Sequence, residues 1–333
     1  MIVASKRARR PHDVVPVGAA REAATSAPET CPFCPGNEEH TPPPIRVVTA
    51  GDRTGSETAA ALNTDRARDA APQTPRAHPP WLLRVCPNRF PALEAADDQA
   101  TAGASIAPFF ERAPASGLHE VIIETPEHDA DLCRLEPDAL ERVVAAYAER
   151  DGDLRTRDGI GHVIIFRNHG RAAGASLEHP HSQVAAMPEV PPAMVLRFET
   201  ARRYFDETGR SLYADLVERE LAAGERIVER DGGLVVLAPF ASRLPFETWI
   251  VPETPSAGAL SAERNAVLAA LARLLGRTLA RIDQAAGDPP YNLVVCAAPV
   301  GAEHAPWFSW HVQIVPRITT PAGFELGTGT SIN

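Results

Sequence analysis
The chain has 333 residues, 44% of them hydrophobic and 23% charged, which is enough for one large domain or two fused units with a substantial core. Its formal net charge of −10 excludes a general nucleic-acid binder, whose footprint would be a basic face, but leaves room for an anionic small substrate held by local arginines. No apolar run reaches the roughly 18 residues of a membrane span, and no charged n-region followed by an apolar stretch opens the chain. A cytoplasmic protein without a membrane partner is expected. Five cysteines make an odd, sparse set, and Cys31-Pro-Phe-Cys34 favours metal or redox chemistry over a disulfide frame.

In chain order, residues 51–79 carry almost no apolar periodicity and read as a mobile surface excursion. Residues 119–128 read as a strand and 136–150 as an amphipathic helix. Residues 162–168 read as a buried strand leading into Gly174–Gln183, "GASLEHPHSQ". The second half repeats the pattern, with strands over 244–253, 291–297 and 310–316 and a helix over 261–282. That helix places Val267, Leu271, Leu274 and Leu275 on one stripe, with Ser261 as its cap and Glu263 in its first turn. Matching landmarks recur at about 125 to 130 residues, the mark of an internal repeat. The expected product is two similar α+β units with largely antiparallel sheets, forming one pseudo-symmetric body. In the second copy the histidine motif is reduced to His311-Val-Gln313.

Two thiolates from Cys31 and Cys34 with two imidazoles would close a tetrahedral zinc site that has no open position for substrate. His179 is one candidate imidazole. His128 and His119, at opposite ends of one predicted strand, compete for the other place. The alternative is a metal-free or redox pair of buried thiols. Residues two apart on a strand share a face, so His179 and His181 project together, one toward the metal and the other toward a cleft. A neutral, oriented imidazole attacks phosphorus well and splits one displacement into two. Gln183 shares that face and suits a phosphoryl oxygen, and Ser176 sits in a Gly-Ala-Ser turn open to close backbone approach. The competing reading makes both histidines zinc ligands or core residues.

With "CPFCPGNE", "NRFPAL", "RNHGRAAGASLEHPHSQ" and "AGFELGTG" in order, the chain resembles the galactose-1-phosphate uridylyltransferase family of the histidine-triad superfamily, which includes an ADP-sugar phosphorylase branch. The resemblance implies two histidine-triad-like repeats, placed at 1–195 and 196–333. It implies His181 as the nucleotidylated nucleophile, Gln183 and Ser176 as phosphate holders, and structural zinc on Cys31, Cys34, His128 and His179. Arg7 and Arg10 match arginines near the nucleotide phosphates. Phe33, Asn88, Phe90 and Asn168 fall at nucleotide contacts, and Phe324 and Glu325 where sugar hydroxyls are held. The family's homodimers share active-site residues between subunits, so a homodimer acting on a nucleotide sugar and a sugar 1-phosphate is expected.

The sequence departs from the pattern at three places. Arg89 stands where many uridylyltransferases have aspartate, bearing on ribose and base. Thr319 and Phe324 stand where that branch has lysine and tyrosine, bearing on the sugar. Gln313 stands where an iron ligand would be, so no iron is expected. The leading expectation is ping-pong transfer of a nucleoside monophosphate between a nucleotide sugar and a sugar 1-phosphate, falling off as pH drops through the imidazole range near 6.5. Phosphate or water as acceptor, making an ADP-sugar or nucleotide phosphorylase or a hydrolase, is the alternative, and a non-catalytic zinc-containing sugar-nucleotide binder ranks below both.

Overall fold
The alternation that puts His181 and Gln183 on one face of a strand sorts a whole sheet into a packed face and a functional face. The computed structural model of the protein describes residues 27–52, 81–94, 115–254, 256–320 and 322–331. The excursion read over 51–79 lies almost wholly outside the described residues, and Arg7 and Arg10 lie outside them entirely. In chain order the elements are β1 (Arg46–Thr49), β2 (Trp81–Pro87), β3 (Leu118–Ile123), α1 (Pro137–Arg155), β4 (His162–His169) and β5 (His181–Met187). There follow α2 (Pro192–Thr208), α3 (Leu212–Ala223), β6 (Ile227–Asp231), β7 (Leu234–Leu237), β8 (Thr248–Pro252), α4 (Asn265–Ala286), β9 (Tyr291–Cys296), β10 (His311–Pro316) and α5 (Gly323–Thr328).

The strands form one antiparallel sheet in the order β1-β2-β3-β5-β4-β9-β10-β8-β7-β6. Read outward from the central β4–β9 pair, the two halves have the same order. Asn168 lies opposite Asn292 in that pair, and Phe166 opposite Val294. Gln183 pairs with Phe166 and Gln313 with Val294, so the repeat superimposes His181 on His311 and Gln183 on Gln313. The α+β repeat read from the landmark spacing is therefore one continuous sheet. Residue 195, taken as the end of the first repeat, falls inside α2.

Alternate residues of each strand point to opposite faces. Leu83, Ile122, Ile165, Val184, Leu293 and Val312 meet Leu140, Val144 and Tyr147 of α1 and Leu271, Leu275 and Leu279 of α4 in the main core. Each fully buried aliphatic side chain there contributes roughly 1.5–3 kcal/mol. The helices approach closely where Gly276 faces Leu140, since a Cβ at 276 would lie 2.6 Å from the leucine Cδ1. On the other face, α2 and α3 cover the second half, Met194 and Tyr213 packing with Cys296 and Phe308. Val217 packs with Val235 and Val251 beside them.

The helix read over 136–150 runs on to Arg155 and that over 261–282 to Ala286, and three further boundaries differ from the sequence reading for a local reason. Ser261 does not cap α4: Arg264 is its N-cap, and the Ser261 amide and hydroxyl both donate to Asp151 Oδ2, at 3.1 and 2.7 Å. The strand read over 119–128 ends at Ile123, because the Glu124 amide turns to Pro180 O at 3.2 Å and Pro126 follows. The strand read over 244–253 begins at Thr248, because the Glu247 carboxylate accepts from the Arg243 amide and from Trp249 Nε1 at 2.8 and 3.0 Å.

Candidate active site and metal centre
Cys31 and Cys34 sit on a turn whose carbonyls are tied by Asn37, its side-chain amide donating to Cys31 O at 2.8 Å. Ligand atoms of Cys31, Cys34, His128 and His179 all lie within 4.8 Å of one another. Cys34 Sγ is 3.2 Å from His128 Nδ1 and 3.5 Å from His179 Nδ1. His179 Nε2–H donates to Thr125 O at 2.8 Å, which leaves its Nδ1 lone pair facing the sulfurs. Burial holds the His179 pKa down to about 4 and, with the neighbouring Cys31, pushes the Cys34 thiol up to about 11. The Cys34 thiol that resists ionisation and the His179 imidazole that resists protonation join Cys31 and His128 in a soft donor set that a divalent cation would stabilise as thiolate. The residues fit a closed tetrahedral metal centre. His119, the competing ligand, is not in this group.

The Pro-Phe pair between the cysteines carries Phe33 to the start of β5, where its ring meets those of His181 and His179 edge-on at 5.3 and 6.0 Å. His181, at the start of β5 and 7% exposed, donates Nδ1–H to His179 O at 2.8 Å. Its Nε2 is thereby left as the unprotonated nitrogen, and the residue lines a cavity of about 430 Å³. Burial lowers the His181 pKa below the ordinary imidazole value of 6.5, so the ring is neutral at pH 7. The same cavity is lined by Phe33, Asn88, Phe90, Asn168, Ser176 and Gln183. Six residues singled out from sequence thus converge around His181.

Two amides in the cavity have their oxygens tethered. Gln183 Oε1 lies 2.9 Å from His119 Nε2. Asn168 Oδ1 accepts from Asn292 Nδ2 at 2.9 Å, and that same nitrogen donates to Ala173 O at 2.8 Å. Because Ala173 O can only accept, the Asn292 amide is fixed and Asn168 presents its NH₂. Sequence reading missed both tethers. Nothing in the sequence pointed to Asn292, which lies opposite Asn168 across the central strand pair without being its counterpart in the repeat; His119 was weighed as a metal ligand. The loop carrying Ser176 turns through Gly170 and Gly174 at φ +74° and +92°, conformations that side-chain-bearing residues rarely adopt. Arg89 also lines the cavity, donating to His40 O at 3.0 Å and lying over the Phe90 ring.

Phe324 and Glu325 are not brought to His181 within one chain. Both lie on α5, where Phe324 is 52% exposed and Glu325 accepts from the Ala322 amide at 2.9 Å. Glu325 lines a separate cavity of about 760 Å³ with Arg243, Asn292, Arg317 and Thr319. The second-half histidine has the backbone bond of its counterpart, His311 Nδ1 to Ser309 O at 3.2 Å. It is closed off between Tyr213 and Trp249, each ring 5.1 Å away. Gln313 accepts from Arg197 at 3.0 Å. The helices α2 and α3 are therefore what make one half open and the other sealed.

The model of the galactose-1-phosphate uridyl transferase N-terminal domain matches residues 82–191. An ADP-glucose phosphorylase of Arabidopsis thaliana is 31% identical over all of this chain and 86% of its own length. A galactose-1-phosphate uridylyltransferase of Haemophilus influenzae is 28% identical over 97% of this chain and 82% of the relative. The crystal structure of an ADP-glucose phosphorylase from Arabidopsis thaliana with bound ADP-glucose is similar at a TM-score of 0.73 and 30% identity, covering 94% of this chain and 88% of that one. A uridylyltransferase structure gives 0.72 at 26% identity, covering 99% and 89%.

Proposed function
The chain belongs to the galactose-1-phosphate uridylyltransferase family and is a nucleotidyltransferase, and we propose that it works through a covalent nucleotidyl-histidine at His181. The observation that carries this reading is a neutral imidazole lining the cavity with Nδ1–H committed to His179 O, which leaves Nε2 as the nitrogen free of a proton. In the first half-reaction Nε2 attacks the α-phosphorus of a nucleotide sugar. The bond to the bridging oxygen breaks, and a sugar 1-phosphate leaves with the electron pair. In the second, a phosphate oxygen of the acceptor attacks the same phosphorus, the P–N bond breaks, and the imidazole is restored. The Gln183 and Asn168 amides and the Ser176 hydroxyl would donate to the phosphoryl oxygens, where negative charge is spread in the transition state. His179 O stabilises the imidazolium that forms by holding its Nδ1–H.

Sugar 1-phosphate as acceptor, in the manner of a hexose-1-phosphate uridylyltransferase, is the leading form of the reading. Phosphate as acceptor with an adenylyl group is favoured by one observation: the relative similar over all of this chain is named an ADP-glucose phosphorylase. Incubating the protein with α-³²P-labelled UDP-glucose or ADP-glucose is expected to give an acid-labile, base-stable protein adduct with one of them. Chasing with galactose 1-phosphate, phosphate or buffer then identifies the acceptor. Absence of an adduct with either substrate would refute the covalent reading.

Zinc is proposed for Cys31, Cys34, His128 and His179, and the protein is proposed to be a cytoplasmic homodimer in which Phe324 and Glu325 complete the neighbour's sugar site. Bound there, the metal would supply a structural clamp with no open coordination position. Metal analysis of the purified protein is expected to give about one zinc per chain, and Cys31→Ser to lose it. The Cys31→Ser protein is expected to unfold several kcal/mol more easily in thermal denaturation, since metal-binding energy is folding energy. A variant of unchanged melting point and full activity would remove the clamp.

A further inference from the structure
We propose that His119 is a positioning residue that acts through Gln183, fixing which end of that amide faces the transferred phosphate. The inference rests on the reading of Gln183 as a phosphate donor. An amide side chain offers an acceptor at one end and two donors at the other, and rotation by half a turn exchanges them. Against a phosphoryl group the two orientations are opposite in sign: the NH₂ attracts the oxygens and the carbonyl repels them. Something must therefore hold Gln183 Oε1 away from the cavity.

The chain of donors leaves one assignment. The Ala92 backbone N–H donates to His119 Nδ1 at 3.0 Å, and a backbone N–H cannot accept. Nδ1 is thus the unprotonated nitrogen, and the neutral ring carries its proton on Nε2. That Nε2–H faces Gln183 Oε1 at 2.9 Å, so the glutamine oxygen is occupied and its NH₂ points to the cavity. Burial favours the neutral ring that the tether requires, lowering the His119 pKa. Asn88 supports the same orientation. Its Oδ1 accepts from the Phe90 backbone N–H at 2.9 Å, which places Asn88 Nδ2 3.3 Å from His119 Nε2 and 3.5 Å from Gln183 Oε1; with Nε2 protonated, the glutamine oxygen is the acceptor of the two. Both tethers end on backbone donors of the short segment after β2, and both converge on one oxygen. The strand register supplies the reach: Val121 lies opposite Gln183, and His119 is one pleat away on the same face.

The test is the single-turnover rate of adduct formation with labelled UDP-glucose or ADP-glucose, in single and double variants. His119→Phe, which lacks both nitrogens, is expected to slow adduct formation roughly ten- to thirtyfold, with a smaller change in substrate affinity. His119→Gln, which places an amide NH₂ near the former Nε2, is expected to recover most of that loss. In a Gln183→Ala background, His119→Phe is expected to change the rate less than about twofold, because the group it orients is gone. His119→Asn keeps an acceptor for the Ala92 amide but cannot reach Gln183, so it serves as the second variant should phenylalanine impair folding. A wild-type rate in His119→Phe and His119→Asn, or a full further loss on top of Gln183→Ala, overturns the inference alone. No adduct on the wild-type protein overturns the His181 reading and this inference with it.

Discussion

Replacing His181 by asparagine is expected to abolish turnover, lowering the rate on the order of 10⁴-fold or more, while leaving the fold and the metal content intact. Asparagine offers no nitrogen lone pair able to attack phosphorus, so both half-reactions fail together. The structural cost is small. Among the described residues the His181 side chain makes one hydrogen bond, to His179 O, and is not in the four-residue metal cluster. Circular dichroism, zinc content and binding of unlabelled substrate are therefore expected to match the wild type, with no labelled adduct. Retained turnover near the wild-type rate would mean that another nucleophile operates. The pH profile follows from the same ring. Attack needs the neutral imidazole, and burial lowers its pKa from 6.5; the lower folded value extends the neutral form to more acid pH. The acid limb of adduct formation is thus expected below 6.5 rather than at it.

The parts of this molecule legible in the sequence are those where one residue type serves one purpose. Cys31, Cys34 and His179 could be grouped by donor chemistry, and alternation along β5 alone puts His181 and Gln183 on one face. The repeat was legible because both halves keep a strand, a helix and a His-x-Gln strand at matching distances. What was not legible depends on long-range geometry. His119 and His128 stand at the two ends of one predicted strand, and only the end of β3 at Ile123 frees His128 to reach the sulfurs while His119 stays on the strand beside Gln183. The sealing of His311 comes from α2 and α3, whose apolar residues carry no sign of which sheet face they cover. Ser261 has the chemistry of a helix cap, but Asp151, more than a hundred residues earlier, takes its hydroxyl. Local preference lost there to a tertiary partner.

The largest loss of stability is expected behind the catalytic strand, on the face opposite His181. Arg167, 3% exposed, donates to both oxygens of Glu124 at 3.3 and 3.1 Å, to Tyr291 Oη at 2.7 Å and to Asp131 Oδ1 at 2.9 Å. Ser182, between His181 and Gln183 in the chain, donates to Glu124 at 2.5 Å, and its hydroxyl meets Tyr147 Oη. The network joins β3, β4 and β5 to α1 and, through Tyr291, to the second half. Burial alone would raise the Asp131 pKa, but Arg167 and His169 hold it below its ordinary value. That contribution is present above the unfolded carboxylate range near 3.8 and lost as pH falls below it. Among the described residues Arg167 is the guanidinium that holds both Glu124 and Asp131, so Arg167→Met leaves two buried carboxylates without that partner. Breaking a buried pair from one side costs about 3–5 kcal/mol, far more than an exposed ion pair such as Arg202–Asp206 is worth. Urea unfolding of Arg167→Met is expected to show that loss. Adding Glu124→Gln is expected to restore part of it, because the second substitution removes a charge the first left unpaired. Additive losses would mean that the two side chains act through packing rather than through their charges. Adduct formation is expected to fall in the single variant as well, since Ser182 anchors the strand segment that aims both His181 and Gln183.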